Sequence, residues 1–75
     1  MKVLSYYEWE KTPAVVVQTD DGTEVQGFFL NDDGKWVAAS IAQLLDFVRE
    51  GEKMPQDVFE AELGVIGQSL PDLPM

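Results

Sequence analysis

Cysteine and histidine are both absent from this chain. Without cysteine there are no disulfides, no thiolate metal sites and no cysteine nucleophile. Without histidine the commonest general base and the commonest metal ligand are missing. Positive charge is scarce: 5 Lys and Arg stand against 14 Asp and Glu, a net charge of −9. Such a surface repels nucleic acid and anionic membranes, so direct binding to DNA, RNA or a bilayer is not expected. No apolar run approaches the roughly 18 residues that a membrane helix requires. The opening Met1-Lys2-Val3-Leu4-Ser5-Tyr6-Tyr7-Glu8 lacks the long uncharged core of a signal peptide. A cytoplasmic address is the expectation. No glycine-rich loop of the phosphate-cradling kind is present, because Gly22, Gly34, Gly51 and Gly64 each suit a turn or a cap.

What remains is a chain of 75 residues, 45% of them apolar. That composition is ordinary for a globular protein, and the length allows one domain at most. Residues 1–69 are expected to form a small α+β domain, and the Pro/Leu-rich residues 70–75 a tail. The tail either packs back on the body or serves as an extended docking segment.

Residues 1–12 carry two conflicting signals. Val3, Ser5, Tyr7 and Trp9 alternate with Leu4, Tyr6, Glu8 and Glu10 among β-favouring residues, which supports a strand. Ser5 followed by Glu8 is a capping-box pattern, which would start a helix. Thr12-Pro13 ends either element.

Residues 13–39 predict a three-stranded antiparallel meander. Its strands are 14–19, 24–30 and 35–39, with Asp21-Gly22 and Asp33-Gly34 as hairpin signals. Two tight turns would set Val17 opposite Gln26, Val15 opposite Phe28 and Leu30 opposite Val37. One face then holds Val15, Val17, Phe28, Leu30 and Val37, and the other Ala14, Val16, Val25, Phe29, Trp36 and Ala38. Both faces are apolar, whereas a sheet with one wet face alternates apolar with polar. Each face therefore needs a cover, or the sheet must curl into a small barrel.

Residues 40–64 predict two helices. Ser40 and Gln43 make a capping box. Ile41, Leu44, Leu45 and Val48 have the spacing of a buried helical stripe, which Phe47 widens. Gly51 suits a C-terminal stop. A second helix starts near Pro55, carries Val58, Phe59 and Leu63, and ends at Gly64, after a short linker over 51–54.

The segment Ala14–Leu30 resembles the first two strands of Sm-like proteins: a strand, a D-G turn, an apolar-x-Gly step at Gly27 and a further strand. The resemblance covers under a quarter of the chain and implies an SH3-like barrel as the alternative fold. The RNA-contacting half of that family has no counterpart, since a helix stands in its place, and no functional residue carries over.

The acidic runs Asp20-Asp21-Gly22-Thr23-Glu24 and Asn31-Asp32-Asp33-Gly34 lack the ligand schedule of a calcium loop, and aspartate is what such turns prefer. No metal or cofactor is expected. Glu8/Glu10, Asp57/Glu60 and Glu60/Glu62 lie close in sequence, but acid–base work needs a cleft that shifts a pKa. Ser5, Ser40 and Ser69 have no histidine to activate them. Enzymatic activity is not expected.

Two surface features remain. Tyr6, Tyr7, Trp9 and Trp36 are interface-prone aromatics that serve either the core or an exposed patch for a partner protein or a second copy. Asp20, Asp21, Glu24, Asp32, Asp33, Glu52, Asp57 and Glu60 either solvate the surface or engage a basic partner. The expected fold is thus α+β: a three- to four-stranded antiparallel meander followed by two helices that cover one face. The expected function is a non-enzymatic protein-binding module or accessory subunit that uses apolar and aromatic surface. The alternative is an acidic inhibitor that occupies the basic nucleic-acid channel of an enzyme.

Overall fold

The computed structural model describes residues 2–65. They form β1 (Lys2–Trp9), β2 (Thr12–Gln18), β3 (Val25–Leu30), β4 (Trp36–Ala38), α1 (Ile41–Glu50), β5 (Glu52–Met54) and α2 (Gln56–Val65). The arrangement is α+β, as the sequence implies. One antiparallel sheet has the strand order β4-β3-β2-β1-β5. It is open, with β4 and β5 as its edges, so the barrel implied by the Sm-like resemblance is not formed. The tail over 70–75, and Ile66 before it, lie outside the described residues.

Residues 2–9 are strand rather than helix. β1 is paired on both sides, to β2 and to β5, and this pairing outweighs the local capping signal of Ser5 and Glu8. The break expected at Thr12-Pro13 falls two residues earlier. Glu10 and Lys11 have φ of 50° and 62°, and Trp9 pairs with Thr12. Two consecutive positive φ values make a two-residue primed hairpin. Neither residue is glycine or asparagine, so each bears about 1–2 kcal/mol of left-handed strain. Pro13 then sits inside β2 opposite Glu8. Bonded and non-bonded pairs alternate along an antiparallel ladder, so Pro13, one step from the bonded Trp9–Thr12 pair, aims its nitrogen towards β3. Pairing to β3 starts only at Ala14, so Pro13 stands at the end of that ladder, where a missing N–H disrupts least.

The β2–β3 register is the expected one, with Val17 opposite Gln26 and Val15 opposite Phe28. The connection is longer than two residues: the Thr19 amide donates to the Glu24 carbonyl, and that of Gly22 to Thr19. Two additional residues leave the pairing parity unchanged. The next hairpin differs. The amide of Asn31 donates to the carbonyl of Lys35, Gly34 donates to Asn31, and Gly34 has φ 77°. This is a three-residue loop that ends in a left-handed glycine. One extra residue shifts the register, so Leu30 pairs with Trp36 and Phe29 with Val37. Trp36 and Val37 therefore exchange faces relative to the expectation.

Both sheet faces are covered, by one helix each. Ala14, Val16 and Tyr7 are buried with Phe47 of α1, and Trp9, Phe29, Ala39 and Leu44 pack around them. Val15 and Val17 are buried with Phe59 and Leu63 of α2, flanked by Val3, Tyr6, Phe28, Trp36 and Met54. A bulge at Leu4, between Val3 and Ser5, lets Val3 and Tyr6 share a face although they are an odd number apart. The expectation of both helices on one face is thus corrected. The residues read as a linker contain β5, which pairs with β1 at the sheet edge. There the chain leaves one face and returns across the other. α1 makes the first crossing: ten residues span about 15 Å, against about 19 Å for the four strand spacings between the edges.

Candidate functional site

α1 starts and stops as its sequence dictates. The Ser40 hydroxyl accepts from the Gln43 amide at 3.2 Å, and the Gln43 side chain accepts from the Ser40 amide at 2.9 Å. At the other end the Gly51 amide donates to the Phe47 carbonyl at 2.9 Å. A methyl group on Gly51 would run into that carbonyl, which explains the glycine. The inward face is narrow. Phe47 is fully buried, with ring centroids 6.2 Å from Tyr7 and 5.5 Å from Trp9. Gly27 of β3 makes room: a Cβ there would lie 2.4 Å from Phe47 Cζ. The mid-strand glycine therefore serves close helix packing.

The expected buried stripe of α1 is only half buried. Ile41, Leu45 and Val48 are exposed by 78%, 55% and 45%. Leu44 and Phe47 supply the apolar contact of α1 with the sheet. At about 100° per residue the apolar arc from Phe47 through Leu44, Val48 and Ile41 to Leu45 is roughly 160° wide. The sheet uses one side of that arc and leaves an apolar ridge along the other. Beside the ridge, β3 and the start of α1 bound an open cleft of about 420 Å³, lined by Glu24, Val25, Gln26, Gly27, Ala39, Ile41 and Leu44. Val25 is half exposed on its rim.

The aromatics do not gather into one exposed patch. Tyr7 is buried and Trp9 packs edge-on to Phe29 at 5.7 Å, on the α1 face. The Trp9 indole Nε1 donates to Asp46 at 2.7 Å, which ties the sheet to α1. Tyr6 and Trp36 belong to the α2 face, where the Tyr6 ring lies 5.0 Å from Phe59. Burial, aided by the Glu60 charge, pushes the Tyr6 hydroxyl above its ordinary pKa.

The acids fall into three groups. Asp20, Asp21 and Glu24 sit on the β2–β3 hairpin, and Glu24 lines the cleft. The Asp21 carboxylate accepts from the Thr19 hydroxyl at 2.6 Å and from the Thr23 amide and hydroxyl at 3.1 and 2.8 Å. These bonds hold its pKa down at about 2. Asp32 and Asp33 lie at the opposite end of the sheet, where Asn31 Oδ1 accepts from the amides of Asp33 and Lys35. Glu52, Asp57 and Glu60 lie on the α2 side. Glu52 pairs across the ladder with Glu8, and Glu62 approaches both. Burial first, then the Glu8 carboxylate and Glu52, push the Glu62 carboxyl above the ordinary glutamate range. Among the described residues no group of three or more Asp, Glu, His or Cys is placed to hold a metal ion. No helix among them is long and apolar enough to cross a membrane.

The ridge residues Ile41, Leu45 and Val48 escaped the sequence reading as surface residues. The available signal was the arc itself, which is wider than a ten-residue helix needs for one sheet contact. Comparison with protein-family models, curated proteins and solved structures found no match to this chain.

Proposed function

We propose that this protein is a non-enzymatic protein-binding module, and that the ridge of α1 with the adjoining cleft is its binding surface. The observation that carries this is the exposure of Ile41, Leu45 and Val48 along one side of a helix that packs on the sheet through Leu44 and Phe47. Single exposed aliphatics are normal, but three in register on a capped helix, beside a cleft that Ile41 helps to line, form the kind of patch that partners cover. An amphipathic surface of this type is read through i, i+4 and i+7 anchors. The test uses the immobilised full chain and an Ile41→Asp/Leu45→Asp variant, checked for folding by circular dichroism. Proteins retained from the source organism's lysate by the wild type at about 0.5 M salt, and absent with the variant, support the function. Identical retained sets refute it.

A second role, as an acidic inhibitor of a basic nucleic-acid channel, draws on the α2 side. Glu8 and Glu52 are directly opposed there with Glu62 close by, and a cationic surface would relieve their repulsion. Such binding weakens steeply between about 0.05 and 0.5 M salt, as the Debye length falls from above 10 Å to below 5 Å. Glu52→Lys/Glu60→Lys would abolish it and leave ridge binding intact.

A further inference from the structure

The cleft beside α1 has a charge character as well as an apolar one. It is lined by Val25, Gly27, Ala39, Ile41 and Leu44 together with the polar Gln26, and Glu24 is the charged residue among those that line it. The hairpin that carries Glu24 also carries Asp20 and Asp21, and contains no lysine or arginine. The Asp21 carboxylate accepts three hydrogen bonds, from the Thr19 and Thr23 hydroxyls and the Thr23 amide, which favour its ionised form, so the hairpin that supplies Glu24 to the cleft carries further negative charge. The α1 N-terminus would favour an anion, but its cap already occupies the Gln43 amide. A second copy of the chain would bring another net charge of −9 to the same place, and like charges brought together oppose association. We infer that the cleft takes an aliphatic or aromatic side chain of a partner protein whose neighbouring residues are lysine or arginine. The proposal rests on α1 being the protein-binding surface and adds the chemistry of the partner.

Two capped hexapeptides test it against the ¹⁵N-labelled full chain: Lys-Lys-Leu-Phe-Lys-Lys and Glu-Glu-Leu-Phe-Glu-Glu. The lysine peptide is expected to move the amides of 24–27 and 39–45 saturably, and to bind at least tenfold more tightly than the glutamate peptide. Glu24→Gln should weaken it several-fold, and Ile41→Ser should weaken both peptides. Equal affinity for the two peptides overturns the proposal while leaving α1 as a binding surface. So does a lysine-peptide footprint spread as strongly over Asp32, Asp33 and Asp57 as over the cleft, or no binding of either peptide. Cleft amides that move on raising the protein concentration alone identify a second copy as the occupant. The same movement in a Leu70→Asp/Leu73→Asp chain identifies the protein's own C-terminal residues. Either result overturns the proposal. Failure of α1 itself is read separately, from identical retained sets for the wild type and the Ile41→Asp/Leu45→Asp variant.

Discussion

Gly27→Ala adds one methyl group at the point where α1 meets the sheet. The new Cβ would lie 2.4 Å from Phe47 Cζ, 3.0 Å from Leu44 Cδ1 and 3.3 Å from Phe47 Cε2. Leu44 is half-buried and has a flexible end that can move. Phe47 is fully buried and hemmed in by Tyr7 and Trp9, so its ring can yield only by shifting α1. Overpacking of this kind costs about 1–3 kcal/mol. Replacing glycine returns about 0.4–1 kcal/mol by restricting the unfolded chain. The expected net loss is about 1–2 kcal/mol, against roughly 4–11 kcal/mol for a domain of this size. Each kcal/mol lost lowers Tm by about 4–8 °C. Urea unfolding followed by tryptophan fluorescence measures the loss, since Trp9 contacts the same ring. Phe47→Leu in the Gly27→Ala background should recover part of it, as a positive coupling in a double-mutant cycle. Gly64→Ala is the control: nothing lies within 4 Å of that Cβ, so helix propensity alone should stabilise by about 0.5–1 kcal/mol. An unchanged midpoint for Gly27→Ala, or a cycle with no coupling, would refute the account of Gly27 as the seat of Phe47.

Three further outcomes follow from local geometry. Lys11→Gly should raise stability by about 0.5–1 kcal/mol in chemical denaturation, because φ of 62° costs lysine more than glycine. Ser40→Ala should cost about 1 kcal/mol by removing the acceptor for the Gln43 amide, and helical circular dichroism should begin to fall at lower temperature. Glu62→Gln should raise Tm at pH 7 and leave it unchanged near pH 3. The folded-state pKa of Glu62 lies above its unfolded value, so the stability linked to its protonated form is complete at low pH and is lost as pH rises through the folded value. A Tm gain of equal size at both pH values would rule out ionisation of Glu62 as the cause.

The legible parts of this fold were those set by short-range chemistry. The meander could be read from Asp21-Gly22 and Asp33-Gly34, since both glycines do take positive φ. The start of α1 could be read from Ser40 and Gln43. The illegible parts depend on partners distant in sequence. Glu10-Lys11 carries no turn signal, because its strained φ values are imposed by the pairing of β1 with β2. β5 is three residues long and looks like any polar linker until β1 lies beside it. The one-residue shift that exchanged Trp36 and Val37 came from loop length, which Asp-Gly alone does not specify. The candidate surface was hidden for a related reason. Ile41, Leu45 and Val48 have core spacing, and sequence records that a helix side is apolar without recording whether anything lies against it.

β2 also bears on how uniquely the chain can settle. Ala14, Val15, Val16 and Val17 are all small, aliphatic and buried. Sliding this strand by one position would exchange Ala14 and Val16 for Val15 and Val17 with little change in hydrophobic content, so its own side chains select poorly between alternatives. Discrimination falls to its surroundings: the tight Glu10-Lys11 corner, the extra residue at Leu4, and Gly27 opposite Val16, where Phe47 takes the place of a side chain. Substitutions at those three places should therefore produce conformational heterogeneity, visible as doubled amide resonances, before they produce unfolding.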